Sequence, residues 1–160
     1  MTVRYALPSD LAALAAVEAA CFPAAEAATE KDIKNRLDYY AHHFWLLFDG
    51  DTLVSFVDGF VTDEKDLTDE MYENAALHNE NGAWQMIFGV NTLPSYRRRG
   101  CAAQLLERAI QDARAQGRKG LVLTCKDALI HYYEKFGFVN EGISASVHGN
   151  VVWYQMRLTF

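Results

Sequence analysis

Tyr96-Arg97-Arg98-Arg99-Gly100-Cys101-Ala102-Ala103-Gln104-Leu105-Leu106 is the stretch on which the fold turns. It opens as a basic polar loop. After Gly100, Ala102, Leu105, Leu106, Ala109, Ile110 and Ala113 recur at the three- and four-residue steps that gather apolar side chains on one helical face. Gly117 stands where a helix is closed. The first turn of a helix carries N–H groups with no internal partner and the positive end of the dipole. Gly100 removes a side chain where a ligand would approach the backbone, and small Cys101, Ala102 and Ala103 keep that approach open. With the positive charge of Arg97, Arg98 and Arg99, a pyrophosphate fits this geometry. A tight turn with a solvated arginine run is the alternative that these residues alone leave open.

Upstream, Ala83 to Leu93 reads as the longest apolar strand and stops at Pro94. Downstream, Leu121 to Cys125 reads as a short buried strand and Asp127 to Phe136 as a short helix closed by Gly137. Phe138 to Glu141 and Val151 to Leu158 complete the sheet. Toward the N-terminus, Val3 to Leu7 reads as a first strand. A helix starts around Pro8, Ser9 and Asp10 and carries Leu14, Val17 and Cys21 inward. A second helix begins near Thr29, where Thr29 and Asp32 resemble a capping box and Ile33, Leu37 and Tyr40 share a face. Phe44 to Asp49 and Leu53 to Val61 form a hairpin through Asp49-Gly50-Asp51. Thr62 to Glu70 is acidic and solvated, and Leu67 to His78 reads as a short helix. The order is that of a mixed α/β fold.

The 160 residues, 51% apolar and 22% charged, suit one soluble globular domain, residues 1–160. Fifteen basic against 21 acidic residues give a net charge of −6, so no nucleic-acid partner is expected. No apolar run approaches the ~20 residues that cross a bilayer, and the first residues lack the layout of a signal peptide, so no membrane partner is expected. Cys21, Cys101 and Cys125 are odd in number and widely spaced. That pattern argues against a disulfide framework and against a metal site, and points to a reduced, cytoplasmic protein.

Arg97-Arg98-Arg99-Gly100-Cys101-Ala102 resembles the Arg/Gln-x-x-Gly-x-Gly/Ala signature of the GNAT superfamily of acetyl-CoA-dependent N-acetyltransferases. Tyr133-Glu134-Lys135-Phe136-Gly137-Phe138 resembles the superfamily's Tyr-Glu-Lys-x-Gly-Phe segment, and the two lie at the family spacing. A closer resemblance is to the arylalkylamine N-acetyltransferase branch. Cys125-Lys126-Asp127-Ala128-Leu129-Ile130-His131-Tyr132-Tyr133 is similar to that branch's Cys-Glu-Asp-Ala-Leu-Val-x-Phe-Tyr run, and Ala76-Leu77-His78 is similar to its Leu-x-His segment. Ala20-Cys21-Phe22 resembles its acceptor-binding loop. Lys126 replaces the asparagine that many family members carry seven residues before the tyrosine, as it is replaced in that branch too.

The resemblance implies an acyl-CoA N-acyltransferase fold: a central twisted, mostly antiparallel sheet, flanked by helices, with one splayed parallel pair, Ala83–Leu93 and Leu121–Cys125. It implies acetyl-CoA as cosubstrate. The amides of Arg98, Arg99, Gly100, Cys101, Ala102 and Ala103 would cradle the pyrophosphate. Val90, Asn91 and Thr92 would pair with the pantetheine arm, with a β-bulge near Asn91. Tyr132 and Lys135 would line the cofactor, and Tyr133 would protonate the departing thiolate. A main-chain N–H of the central strand would serve the oxyanion.

The arylalkylamine branch carries a His-x-His pair that relays the amine proton through water. Met86 and Phe88 stand there in this chain, and neither takes a proton. His78 is the substitute base, with Glu26, Glu30, Glu80 or a water chain to bulk solvent as alternatives. Phe22, Phe56, Met86 and Phe88 form a candidate apolar acceptor funnel. The expected activity is acetyl transfer from acetyl-CoA to a small primary amine, by a monomer or homodimer. An acyl-CoA-binding sensor with little catalysis and a peptide N-terminal acetyltransferase are the alternatives.

Overall fold

The helical and alternating periods of the sequence give five helices and nine strands in the computed structural model, which describes all 160 residues, Met1–Phe160. The chain begins with β1 (Thr2–Tyr5), α1 (Leu11–Cys21), α2 (Glu30–Tyr40), β2 (Phe44–Asp49) and β3 (Thr52–Asp58). It continues with β4 (Val61–Thr62), α3 (Asp69–Glu73), β5 (Trp84–Ile87), β6 (Gly89–Thr92) and α4 (Cys101–Ala115). It ends with β7 (Gly120–Cys125), α5 (Ile130–Glu134), β8 (Val139–Ile143) and β9 (Tyr154–Thr159). The strands form an antiparallel sheet ordered β1-β2-β3-β6 and a second sheet ordered β4-β5-β7-β9-β8, in which β5 and β7 are the parallel pair. This is the mixed α/β fold expected of the sequence.

The chain divides into two units. The first comprises Met1–Gly59 and Gly89–Ala109. Its core is set by the run Phe44-Trp45-Leu46-Leu47 on β2, buried throughout, with Phe44 stacked on Phe56 of β3 at 6.2 Å. α1 buries Leu14 and Val17, and α2 buries Ile33, Leu37 and Tyr40. α2 starts where its capping box predicts. Thr29 Oγ1 accepts the Asp32 N–H at 3.1 Å, and Asp32 Oδ2 accepts the Thr29 N–H at 3.0 Å. Both helices also bury a charged residue on the inner face, Glu18 and Arg36.

The second unit comprises Phe60–Phe88 and Ile110–Phe160. Met86, Leu121, Val122 and Met156 form the heart of its sheet, all with no exposed surface. Arg157 closes one side, its guanidinium 4.6 Å over the Trp84 ring and hydrogen-bonded to Asp66 and Glu141.

The structure corrects several boundaries. The apolar run Ala83–Leu93 is two strands, not one. β5 pairs with β7 through Ile87↔Leu123, and β6 pairs with β3 from Gly89↔Asp58 onward. The irregularity expected near Asn91 therefore falls at Phe88, while Asn91 sits in regular register opposite Phe56. Leu53–Val61 stops at Asp58 and resumes as β4. Leu67–His78 shortens to α3 and a 3-10 turn at Ala75–Leu77, and Asp127–Phe136 to a 3-10 turn and α5. The last strand starts at Tyr154 because Gly149 and Asn150 adopt positive φ in the preceding turn.

The α2 cap satisfies two backbone donors that the helix leaves unpaired, so its loss should be measurable in stability. Thr29→Ala is expected to cost about 1 kcal/mol, read as a lower urea midpoint at unchanged slope.

Candidate functional site

β6 is the terminal strand of its sheet. Leu93 N donates to Val54 O at 2.9 Å. In an antiparallel ladder alternate residues turn their N–H and C=O to the partner strand. Gly89 and Asn91 therefore face β3, and Val90 and Thr92 face outward from the sheet edge. Thr92 O already accepts the Cys21 Sγ–H and the Arg97 Nε–H, each at 3.2 Å. The N–H and C=O of Val90 are the outward pair that remains for an added strand.

A tight turn at Pro94–Tyr96 then leads into the arginine loop. Tyr96 pins it, donating its hydroxyl to Asp49 Oδ2 at 2.7 Å while Arg99 lies 5.1 Å over its ring. Arg98 and Gly100 take φ of +64° and +76°. Such reversals gather neighbouring N–H groups into anion-binding concavities. The first bond of α4 runs from Gln104 N to Gly100 O at 3.0 Å. The amides of Cys101, Ala102 and Ala103 therefore open the helix without an intrahelical acceptor. Gly100 is exposed, and a Cβ built on it meets nothing within 4 Å. Cys101 is buried, with its thiol directed at Tyr96 O, while Ala102 and Ala103 remain partly accessible. The structure thus places Val90, Thr92 and the loop from Arg97 to Gly100 on accessible positions of a single unit, with Asn91 and Cys101 turned inward.

A polar cluster, missed in the sequence, lies at the start of β6. Glu18 Oε2 accepts the Ala28 N–H at 3.0 Å, and Arg36 Nη1 donates to Asp58 Oδ2 at 3.1 Å. Asn91 is fully buried. A Cβ on Gly89 would come within 2.7 Å of Asp58 Oδ1, 2.9 Å of Asn91 Nδ2 and 3.6 Å of Glu18 Oε1. The three side chains converge on the space that a larger residue would fill. Burial, and then repulsion from Asp58, push the Glu18 carboxyl up to about 7 against the pull of the Ala28 amide, Arg36 and Asn91. Burial also raises Asp58, only partly offset by Arg36. For Arg36, the attraction of Asp58 and Glu18 outweighs its burial and raises its pKa. Periodicity held a signal for this cluster. Glu18 lies four residues after Leu14 and three before Cys21, and Arg36 lies three after Ile33 and four before Tyr40, so both fall on apolar stripes.

The remaining candidates fall into two groups. Tyr133 is buried on α5, its ring 5.1 Å from Tyr132 and 6.1 Å from Phe138. Burial drives its phenol well above the usual tyrosine range, so it stays protonated at neutral pH. Tyr132 is partly accessible and Lys135 exposed.

The other group does not serve as expected. His78 Nδ1 accepts the Val61 N–H at 3.0 Å, and Nε2 lies 3.5 Å from Glu80. The lone pair a base would use is thus committed to β4, and His78 reads as a strand-holding residue. Glu80 in turn binds Arg118 at 2.9 Å, and Glu30 is exposed at the start of α2. Phe56 and Met86 are 1% and 0% exposed, core residues that cannot line an open funnel. Phe22 and Phe88 keep accessible surface, and Phe88 packs on Tyr72 at 4.8 Å.

Comparison with known proteins bears on the whole arrangement. Serotonin N-acetyltransferase of Mesocricetus auratus is 30% identical over 111 residues, 69% of this chain and 52% of that protein, so the chain spans about half the length of this curated relative. A GphF GNAT-like decarboxylase in complex with isobutyryl-CoA superposes with a TM-score of 0.85 at 22% identity, covering 99% of both chains. The loading GNATL domain of CurA from Lyngbya majuscula gives 0.85 at 18% identity, over 99% of this chain and 96% of that one. The ribosomal-protein-S18-alanine N-acetyltransferase of Escherichia coli gives 0.73 at 20%, over 99% and 92%. At such identities these structures establish the fold. The model of the Acetyltransferase (GNAT) family matches residues 11–138, from α1 through β6, the arginine loop and α4 to Phe138, and on that match the chain belongs to the GNAT acetyltransferase family.

Proposed function

We propose that residues 1–160 act as one acetyl-CoA-dependent N-acetyltransferase domain whose acceptor is a small primary amine with a hydrophobic body. The observation that carries this reading is the amide-lined loop from Arg98 to Ala103, set at the end of a strand with an open edge. The diphosphate of acetyl-CoA lies on the amides of Arg98, Arg99, Gly100, Cys101, Ala102 and Ala103, where the α4 dipole favours negative charge. The pantetheine arm runs back along β6 as an added strand, hydrogen-bonded to the outward N–H and C=O of Val90. This direction delivers the thioester to Gly89.

The acceptor arrives as an ammonium and loses one proton before its lone pair attacks the thioester carbon. As the tetrahedral adduct collapses, the C–S bond breaks, and the second nitrogen-bound proton is balanced by protonation of the leaving sulfur. By the motif it resembles, Tyr133 supplies that proton, with Tyr132 and Lys135 along the cofactor. Its phenol is protonated at neutral pH, and burial, by raising its pKa, makes it a weaker acid than the thiol it would protonate. Phe22, half-buried at the end of α1, offers apolar surface to the acceptor. The 30% match to serotonin N-acetyltransferase supports an arylalkylamine as its class. A second reading, an acyl-CoA-binding sensor with little catalysis, draws on the non-titratable Met86 and Phe88 and on the committed ring of His78.

Thiol release from acetyl-CoA is expected with aryl- and alkylamines, and weakly or not at all with polyamines and peptides. Tight acetyl-CoA binding without turnover would select the sensor, and no binding at all would refute both readings. Gly100→Val should weaken acetyl-CoA by about tenfold or more, because a side chain at φ +76° disfavours the loop by roughly 1–2 kcal/mol. Since nothing crowds that position, the fold itself should persist. Tyr133→Phe should lower kcat by about a hundredfold and leave acetyl-CoA affinity within about twofold. Unchanged turnover would remove its role as donor.

A further inference from the structure

We propose that Glu18 is the base that takes the first proton from the acceptor ammonium, with Asp58, Asn91 and Arg36 as positioning residues around it. This rests on the acetyltransferase reading above. Glu18 is 5% exposed on α1, with Oε2 tied to the Ala28 N–H. Oε1 points to the space above Gly89 Cα, within 3.6 Å of where a Cβ would stand. The thioester, drawn back along β6 from the diphosphate, ends at this same residue. A side chain at position 89 would collide with Asp58 and Asn91, so glycine is what lets the strand approach these polar groups so closely.

The charge balance of the pocket fits the task. Two carboxylates, Glu18 and Asp58, face one guanidinium, Arg36, which bonds to Asp58. Asp58 Oδ1 is buried without a hydrogen-bond partner, and the Asn91 amide pulls on the Glu18 carboxyl, so the cluster keeps an acceptor that a bound ammonium would satisfy. Cys21 from α1 and Tyr40 from α2 are the other titratable groups nearby, and burial raises both, which leaves them protonated at neutral pH. Asp32 also attracts Arg36. Asp58 is held by the Arg36 guanidinium, whereas Glu18 has one oxygen on the Ala28 N–H and the other directed toward Gly89, and burial pushes its carboxyl up to about 7.

In the step itself, R-NH3+ passes a proton to the Glu18 carboxylate, giving R-NH2 and the carboxylic acid. The amine attacks the thioester, the C–S bond breaks, and the second amine proton balances the thiol. Glu18 then releases its proton to solvent.

The experiment is the pH dependence of kcat/KM for the wild-type chain with two acceptors of different ammonium pKa, beside a carbon-13 titration of the Glu18 carboxyl in the free protein. The expected result is an acid limb near pH 7 for both acceptors, coincident with the carboxyl titration. Glu18→Gln can still accept the Ala28 N–H. It should lose that limb and lower kcat by about a hundredfold, with acetyl-CoA affinity by calorimetry within about twofold of wild type. A Glu18 titration that departs from the kinetic limb overturns the assignment from the wild-type chain alone, whatever becomes of the variant. A Glu18→Gln protein that binds acetyl-CoA and keeps its turnover or its limb overturns it as well, while leaving the acetyltransferase reading intact. Absence of wild-type turnover with every amine removes that reading and this one together.

Discussion

The strand that leaves β5 at Ile87 and begins again at Gly89 is the constraint on which the candidate site depends. Through Ile87 the chain is hydrogen-bonded to β7, and from Gly89 it belongs to β3. The exchange works because residue 89 carries no side chain. Any Cβ would meet Asp58 Oδ1 and Asn91 Nδ2 at under 3 Å. With the strand so placed, alternation alone turns Val90 outward at a sheet edge and aims the chain into the arginine loop and the open first turn of α4. A sheet edge of this kind can pair with an added strand, and the proposed function assigns it to an extended ligand.

Charge is used in two opposite ways within the first unit. Around Arg98 and Gly100 it is exposed and positive, suited to an anion in a chain whose net charge is −6. Behind Gly89 it is buried and negative in excess. A buried pair such as Arg36–Asp58 adds little to stability, because desolvation cancels most of its attraction. What the cluster does supply is an odd acid. With Arg36 bonded to Asp58, burial and the Asp58 charge push the Glu18 carboxyl up to about 7.

Much of this was legible beforehand. The helix from Cys101 onward, its closing Gly117, the Thr29–Asp32 cap and the β2–β3 hairpin each follow from local rules, and local rules survive folding. The turn into α4 through Arg98 and Gly100 was legible because its residues are contiguous. The Glu18–Arg36–Asp58–Asn91 cluster was not, because its members come from α1, α2, β3 and β6 and meet only in three dimensions. Phe56 and Met86 were misplaced for a related reason. An aromatic or sulfur side chain on a strand reads the same whether its face is a core or a pocket, and these two are core. His78 drew notice for a ring that titrates near neutral pH, and the fold spends that ring on the Val61 amide. The break at Phe88 was hidden by an apolar run that crosses it without interruption, with Gly89 as its single mark.

The central claim, that coenzyme A lies on the amides from Arg98 to Ala103 and along the outer edge of Val90, is tested most directly by amide nuclear magnetic resonance during a coenzyme A titration. The account predicts that the Val90 and Arg98–Ala103 amides move first and furthest, in a saturable manner. Saturable binding that leaves these amides unmoved and perturbs another surface would contradict it.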